Sequence, residues 1–497
     1  MRRWNLSQRE WILIAITAGL LSTMLFLLLR QEPPVTTYYL DASHPNASDD
    51  DKHGSLEAPW SSLDYALMNL IAGDTLLIRA GTYTNHVITL TEANSGRQDA
   101  PITITAYANE SVTVSQGRTI WFAGADWWII DGIRFDQFES FQLGLHEHLG
   151  HERTVPARSI IFRNCEFGWG KETPISINHA EGIRIEDCYF HHLRPGIPFT
   201  ELEREANGVT LRYITDDIAI EGNRFEDIGS DGIHVGTQSY LAGARISTVT
   251  ISGNDFGVSR PYQGILGNVG ENGIDVKKCD GPITISGNWF HGFRPTTPEQ
   301  DASGAHGDGL IIHGEARNVV VDGNYFVDNT THINIAKGDG TGPQDIVVRN
   351  NIMRDSVTVN VADETIVGAA VQVRSALNVD VIHNTFINNH RYLVSHDASA
   401  CFFANNIVMG GEAKLGRKTV EWTADHNAWL EDLTQVHDLL QGEHDVIAAD
   451  LGLDDQYRPV SGSPVLGAGL NLGVNTDYQG HAREDPPDIG AFENQSK

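Results

Sequence analysis

Positive charge is scarce in this chain. Lys and Arg number 35 against 65 Asp and Glu, giving a formal charge of −30. Nucleic acid is bound through a basic surface, so that class of partner is excluded. Most of the carboxylates fit a solvated exterior, and any polyanionic ligand needs a local cationic patch or a bridging metal ion. Cysteine is sparse as well, at 4 in 497 residues. No Cys-x-x-Cys or Cys/His spacing supports a zinc site. Charged residues make up only 20% and hydrophobic ones 40%, a balance too apolar for disorder.

A long apolar run occurs at Trp11 to Leu29, with Arg2, Arg3 and Arg9 before it and Arg30 after it. It is long enough to cross a bilayer, and the flanking arginines place the N-terminus in the cytoplasm. The expectation is a cytoplasmic tail (1–10), a transmembrane signal anchor (11–29), a linker (30–37) and an extracytoplasmic body in the periplasm or at the cell surface. A cleaved signal peptide is the rival reading. One N-terminal span leaves no room for transport.

Glycine is abundant, at 49 residues, and fits many turns between short β-branched runs such as Ile102 to Thr105. The tripeptide Asn-x-Phe recurs at Asn223, Asn254, Asn288, Asn324 and Asn384, with looser copies from Cys165 and Cys188 to Asn351, Asn406 and Asn427. Such a repeat is one supersecondary unit that must stack on its neighbours to bury its apolar face. Cys165 and Cys188 stand where Asn stands elsewhere, which suggests buried thiols rather than disulfides. Before the array, Ser61 or Ser62 can cap a helix with Leu63, Ala66, Leu67 and Leu70 on one face, suited to covering the open end of the stack.

Each coil reads as a strand, the Asn-x-Phe corner, a variable loop and a second strand opening with Gly or its substitute. The second strands align as Gly208 to Arg212, Gly232 to Gly236, Gly273 to Lys277, Gly309 to His313, His332 to Ala336 and Ala370 to Arg374. Strand side chains alternate, so Thr210, His234, Asp275, Ile311, Asn334 and Gln372 form one outward column. Arg212, Gly236, Lys277, His313, Ala336 and Arg374 form a second.

This pattern resembles the parallel β-helix of the pectate lyase superfamily, with its asparagine ladder. The resemblance covers Tyr38 to Glu493 and implies an all-β, right-handed parallel β-helix solenoid (38–430), with residues 431–497 assumed to cap the far end.

The loops after Phe190, Phe256 and Phe290 are long, and each carries Arg-Pro four residues past its Phe. Arg194, Arg260 and Arg294 are candidates to clamp the carboxylates of an acidic polysaccharide, with His234 and Arg374 as further substrate contacts. The bland alternative is that each arginine caps its own loop. A lyase on uronates must neutralise a carboxylate, remove the proton beside it and protonate the leaving oxygen. Glu271, Asp275 and Asp231 are the nearest carboxylates to a Ca2+ cage, and Lys277 is the candidate base.

Glu271 to Lys277, followed by Gly309 to Gly314, is similar to the active-site stretch of the alginate lyase and chondroitinase B type of polysaccharide lyase. The resemblance implies Glu271 and Asp275 as calcium ligands and Lys277 as base, with His313 where that family has an arginine. A glycoside hydrolase using two of Asp231, Glu271, Asp275 and Asp308, an epimerase, and a non-catalytic glycan-binding module with Trp289, Phe293 and Tyr262 are the other readings. A monomer anchored to the membrane by its N-terminal helix is expected.

Overall fold

The computed structural model describes residues 36–145, 154–193, 206–236, 245–259, 270–294, 307–338, 340–361, 364–416, 420–431 and 434–495. The proposed span 11–29, Arg194, Arg260 and Tyr262 lie outside them. Among the described residues, no helix is long and apolar enough to cross a membrane.

Each coil contributes three short parallel strands to three sheets. The front sheet runs rung by rung from Ile88–Thr91 through Asn272–Val276 and Asp308–His313 to Thr434–Gln435. The second runs from Thr37–Leu40 to Val420–Asp425. The third has 14 strands, from Gly81–Tyr83 to Val446–Ala448. Two long strands, Ile175–Glu186 and Val209–Glu221, pass through the corner and join the first two sheets. Alternation decides the inside: in Ile283–Ser286 the two isoleucines are buried, and Thr284 and Ser286 are partly exposed.

The Asn-x-Phe corner lies between the second and third sheets, and its Asn is what lets the coils stack. Asn288 Oδ1 accepts the backbone N–H of Asn254 at 2.9 Å and its side-chain amide at 3.0 Å, while Asn288 Nδ2 donates to Ile251 O and to Asn324 Oδ1, both at 2.9 Å. The relay continues through Asn351, Asn384, Asn406 and Asn427 and ends on Asp445 Oδ1, 2.8 Å from the backbone N–H of Asn427. At the other end Cys188 donates its backbone N–H to Asn223 Oδ1 at 2.8 Å. All four cysteines are free and buried. Beside the ladder the phenylalanines from Phe135 to Phe326 stack with centroids 4.6 to 5.0 Å apart. Offset stacking of this kind adds about 0.5–1.5 kcal/mol per pair beyond area burial.

The helix Leu63–Asn69 begins at Ser62, whose hydroxyl accepts from the Tyr65 N–H at 3.2 Å. Its Leu63 and Leu67 pack over Ile78, Leu90, Ile104 and Val114 and close the N-terminal end of the core. At the other end Thr434–Gln435 and Val446–Ala448 complete the last rungs. From residue 449 the chain runs back along the outside, where Phe492 and Tyr478 pack on the third-sheet residues Ile352 and Tyr325, and Val474 on Ile382 and Ala404. Arg483 is buried in this strap and donates to Asn350 Oδ1 (2.8 Å), Gly490 O (2.9 Å) and Glu493 Oε2 (3.4 Å). The strap thus packs on the second and third sheets, and the front sheet is the one that carries the polar columns.

Two predictions follow from this packing. Asn288→Ala strips Asn254 of the acceptor for its buried backbone N–H and should cost at least about 2 kcal/mol, read as a lowered urea midpoint. Thr284→Ala on the same coil, partly exposed, should stay within about 0.5 kcal/mol. His332 is wholly buried between Asn329 and Asn389, and burial pushes its pKa down from 6.5 to about 4. Because the unfolded chain takes up this proton first, stability should fall as pH drops from 6.5 towards about 4. His332→Gln should flatten that part of a melting-temperature profile.

Candidate active site

The first column read from the sequence is in register, and so is the second from His313 to Arg374. Thr210, His234, Asp275, Ile311, Asn334 and Gln372 are successive strand partners, as are His313, Ala336, Arg374 and His396. The first column is not a solvated face: His234 is 2% exposed and Asp275 3%, values typical of a core. Buried ionisable groups must be paired, and these are.

Asp275 is the hub. Its Oδ1 lies 2.8 Å from His313 Nε2, and its Oδ2 lies 3.1 Å from Lys277 Nζ and 3.8 Å from His234 Nδ1. His234 Nδ1 is 3.0 Å from Asp231 Oδ2, and Asn272 Nδ2 donates to Asp231 Oδ1 at 2.9 Å. The backbone N–H of Asp231 is held by Asn207 Oδ1 at 3.0 Å, and Asn207 in turn donates to Thr210 Oγ1 at 3.1 Å. Burial alone pushes the Asp275 carboxyl up, but the His313 hydrogen bond and the charges of His234, His313 and Lys277 hold it below its ordinary 3.8.

Glycine makes room for the two accessible members. A Cβ on Gly236 (φ +127) would lie 2.8 Å from Lys277 Cβ, and one on Gly338 (φ +51) would lie 2.7 Å from His313 Nδ1. Lys277 and His313 are partly exposed, with 18% and 22% of their side chains accessible. They are the groups of this cluster a substrate can reach.

The remaining sequence candidates lie elsewhere or in part elsewhere. Glu271 is hydrogen-bonded through Oε2 to Ser230 Oγ at 3.5 Å and is not grouped with Asp231, His234 and Asp275, whose ligand atoms lie within 4.8 Å of one another. Arg294 donates to Asp328 Oδ2 at 2.7 Å, on the turn of the next coil. Arg374 is exposed, two rungs beyond His313. Sequence reasoning missed the supporting amides Asn207 and Asn272. Both lie at or just before the start of a front strand, one residue ahead of the aligned Gly, and that shared position was the signal available.

Calcium takes six to eight oxygen ligands. Asp231 and Asp275 offer two carboxylates whose four oxygens already face Asn272, His234, His313 and Lys277. With an imidazole as third member and an ammonium alongside, this donor set does not fit the ion. A second group, Asp425, His426 and His444, has its imidazoles stacked at 4.7 Å and 20°, with both Nδ1 atoms turned to Asp425 Oδ2. Rings so nearly parallel do not aim two lone pairs at one ion.

A three-sheet parallel solenoid with a paired polar cluster on one sheet defines the class as a parallel β-helix protein. The family described as right handed beta helix region matches residues 148–265 and 215–408, more than half of the chain, and the protein belongs to it. Lacto-N-biosidase of Bifidobacterium longum is 31% identical over 205 residues, 40% of this chain but 12% of that protein. The YwoF protein of Bacillus subtilis is 34% identical over 111 residues, 22% of each. The chain thus matches only a small part of either relative's length. Among solved structures, XylC in complex with xylose superposes with a TM-score of 0.54 at 10% identity, over 93% of this chain and 99% of that one. A mannuronic acid specific polysaccharide family 6 lyase from human gut microbiota superposes with a TM-score of 0.50 at 16% identity, over 74% and 83%. Likeness at these identities is likeness of fold.

Asp275→Asn removes the counter-charge of Lys277 and the carboxylate oxygen facing His313 Nε2. Breaking a buried ion pair on one side costs about 3–5 kcal/mol, so the variant should melt well below the parent near neutral pH. The folded pKa of Asp275 lies below the unfolded one, so its contribution is present above 3.8 and is lost as pH falls through the folded value. The gap between parent and variant should therefore close in acid.

Proposed function

We propose that the protein is a carbohydrate-active enzyme that cleaves a uronate-containing polysaccharide by β-elimination, its body outside the cytoplasm and residues 11–29 its membrane anchor. One observation carries the reading: the two oxygens of the buried Asp275 carboxylate are shared between His313 and Lys277, at 2.8 and 3.1 Å. β-Elimination needs a base and an acid at fixed separation, and a single carboxylate sets that separation.

The pairing supports roles that reverse the sequence expectation of Lys277 as base. An ammonium beside a carboxylate serves as the acid, and the imidazole of His313 is the base. His313 removes the proton on the carbon next to the uronate carboxylate, and that electron pair forms the new carbon–carbon double bond. The glycosidic bond to the neighbouring carbon breaks, and its oxygen leaves with a proton from Lys277. One positive charge thereby moves from one oxygen of Asp275 to the other, and the buried site never changes its net charge. Asp231 positions His234 against the same carboxylate. Arg374, exposed two rungs beyond His313 on its column, supports binding of an acidic chain. The likeness of fold to a mannuronic acid specific lyase agrees with this reading without establishing it.

A hydrolase is the second reading, because the ligand oxygens of Asp231 and Asp275 lie within 4.8 Å, close to the roughly 5–5.5 Å between carboxyl groups of retaining glycosidases. The partial match to a lacto-N-biosidase points the same way.

The test is incubation of the soluble body with alginate, pectate, chondroitin and neutral glycans, following near-ultraviolet absorbance of unsaturated uronate and reducing ends together. Absorbance should appear with an acidic glycan, survive chelation, and drop by at least about 100-fold in Lys277→Ala and His313→Ala, the usual scale of general acid–base catalysis. Reducing ends without absorbance would establish the hydrolase instead.

A further inference from the structure

Beyond the cluster, the front sheet holds a second polar feature. A cavity of about 310 Å³ is lined by Asp308, Asn334, Gln372, Arg374, Arg391 and Lys414, with Thr365 and Ile366 of the hairpin Val359–Val361/Glu364–Ile366 and the following Val367 as one wall. Its floor continues the column of Asp275: Ile311, Asn334, Gln372, Val394 and Lys414 follow it rung by rung. At ~4.8 Å per rung the cavity extends from ~10 Å to ~24 Å beyond Asp275.

Two kinds of group converge there. The first is positive charge, in a protein whose formal charge is −30. Arg374 and Lys414 are exposed at the cavity, and Arg391 is ion-paired with Glu412 at 3.5 Å. The charges of Arg374 and Lys414 both bear on His396, whose pKa burial and then those two cations lower. The second is unmet acceptors. Asn334 and Gln372 are each 8% exposed, and among the described residues neither Asn334 Oδ1 nor Gln372 Oε1 has a hydrogen-bond partner. The amide of Asn334 cannot be turned to cure this, since its Nδ2 donates to Asp308 Oδ2 at 2.8 Å. Gln372 Nε2 donates to Thr331 Oγ1 at 3.2 Å. A buried acceptor without a donor is costly, and a ligand that brings hydroxyls removes that cost.

We infer that this cavity is a subsite for an acidic sugar residue of the polymer, several residues away from the bond cleaved at Lys277 and His313: Arg374, Arg391 and Lys414 take its carboxylate, and Asn334 and Gln372 accept its hydroxyls. Sulfate or phosphate alone satisfies the cations and leaves the amide oxygens unpaired, and a neutral sugar does the reverse. A uronate supplies both. The inference rests on the β-elimination reading only for the direction in which the polymer runs across the front sheet.

The test uses the full chain carrying Lys277→Ala, so that turnover does not obscure binding, with hexagalacturonate, hexamannuronate and cellohexaose titrated calorimetrically and inorganic phosphate as competitor. One of the acidic hexamers should bind at least about tenfold more tightly than cellohexaose. Lys414→Ala should weaken it by roughly fivefold or more, the scale of one charge-assisted contact. Gln372→Leu should weaken the hexamer while leaving the phosphate concentration that binds the cavity unchanged. Equal binding of cellohexaose, no binding of either acidic hexamer, or indifference to both substitutions in variants that melt like the parent overturns the subsite. Binding that depends on Lys414 and Gln372, in a parent protein that forms no unsaturated product, keeps the subsite and removes the β-elimination. Unsaturated product from an enzyme indifferent to both substitutions does the opposite.

Discussion

The rest of this structure depends on the way the corner asparagines satisfy buried backbone. Each coil turns between its second and third strands inside the core, where the N–H of the turn has no water to meet. The side-chain oxygen of the next coil's Asn takes that N–H and its own amide passes the relay onward, as at Asn254, Asn288 and Asn324. From Asn223 to Asn427 a polar cost that would recur on each coil is thus cancelled by a single residue type at a single position. The phenylalanine two residues later stacks beside it and fixes the radial position of the same corner.

Rigid register at the corner has a consequence for chemistry. Residues 41 positions apart, such as His234 and Asp275, become strand neighbours, and a groove can be built from one residue per coil. The front sheet uses this twice. Near its middle the column carries an acid–base cluster closed around Asp275, and further along it carries cations with unpaired amide oxygens. The C-terminal strap packs instead on the second and third sheets. The strap and the polar clusters therefore lie on different faces of the same coil.

Much of this was legible from the repeat. Counting from each Phe placed Thr210, His234, Asp275, Ile311, Asn334 and Gln372 in one column, and all five pairings are present. The capping helix was legible too, because Ser62 and the spacing of Leu63, Ala66 and Leu67 are local signals. Burial of the column was not, since alternation says which way a side chain points and not what lies above it. Nor were the partners of Glu271 and Arg294 visible: Ser230 and Asp328 are 41 and 34 residues away, and no local pattern marks them. The path of residues 449–495 was equally hidden, because it is set by scattered contacts such as Arg483 with Asn350, 133 residues apart.

The sequence by itself determined that the chain stacks, which residues face out of the core and which of them share a rung, because those follow from a period and from strand alternation. Only the tertiary structure decided which outward groups meet. It gave Asp275 both His313 and Lys277, paired the four carboxylate oxygens of Asp231 and Asp275, and left two amide oxygens unpaired among the described residues beside three cations. The physical reason is that charge pairing and desolvation act over a few ångströms in space, a distance that register can create and spacing along the chain cannot measure.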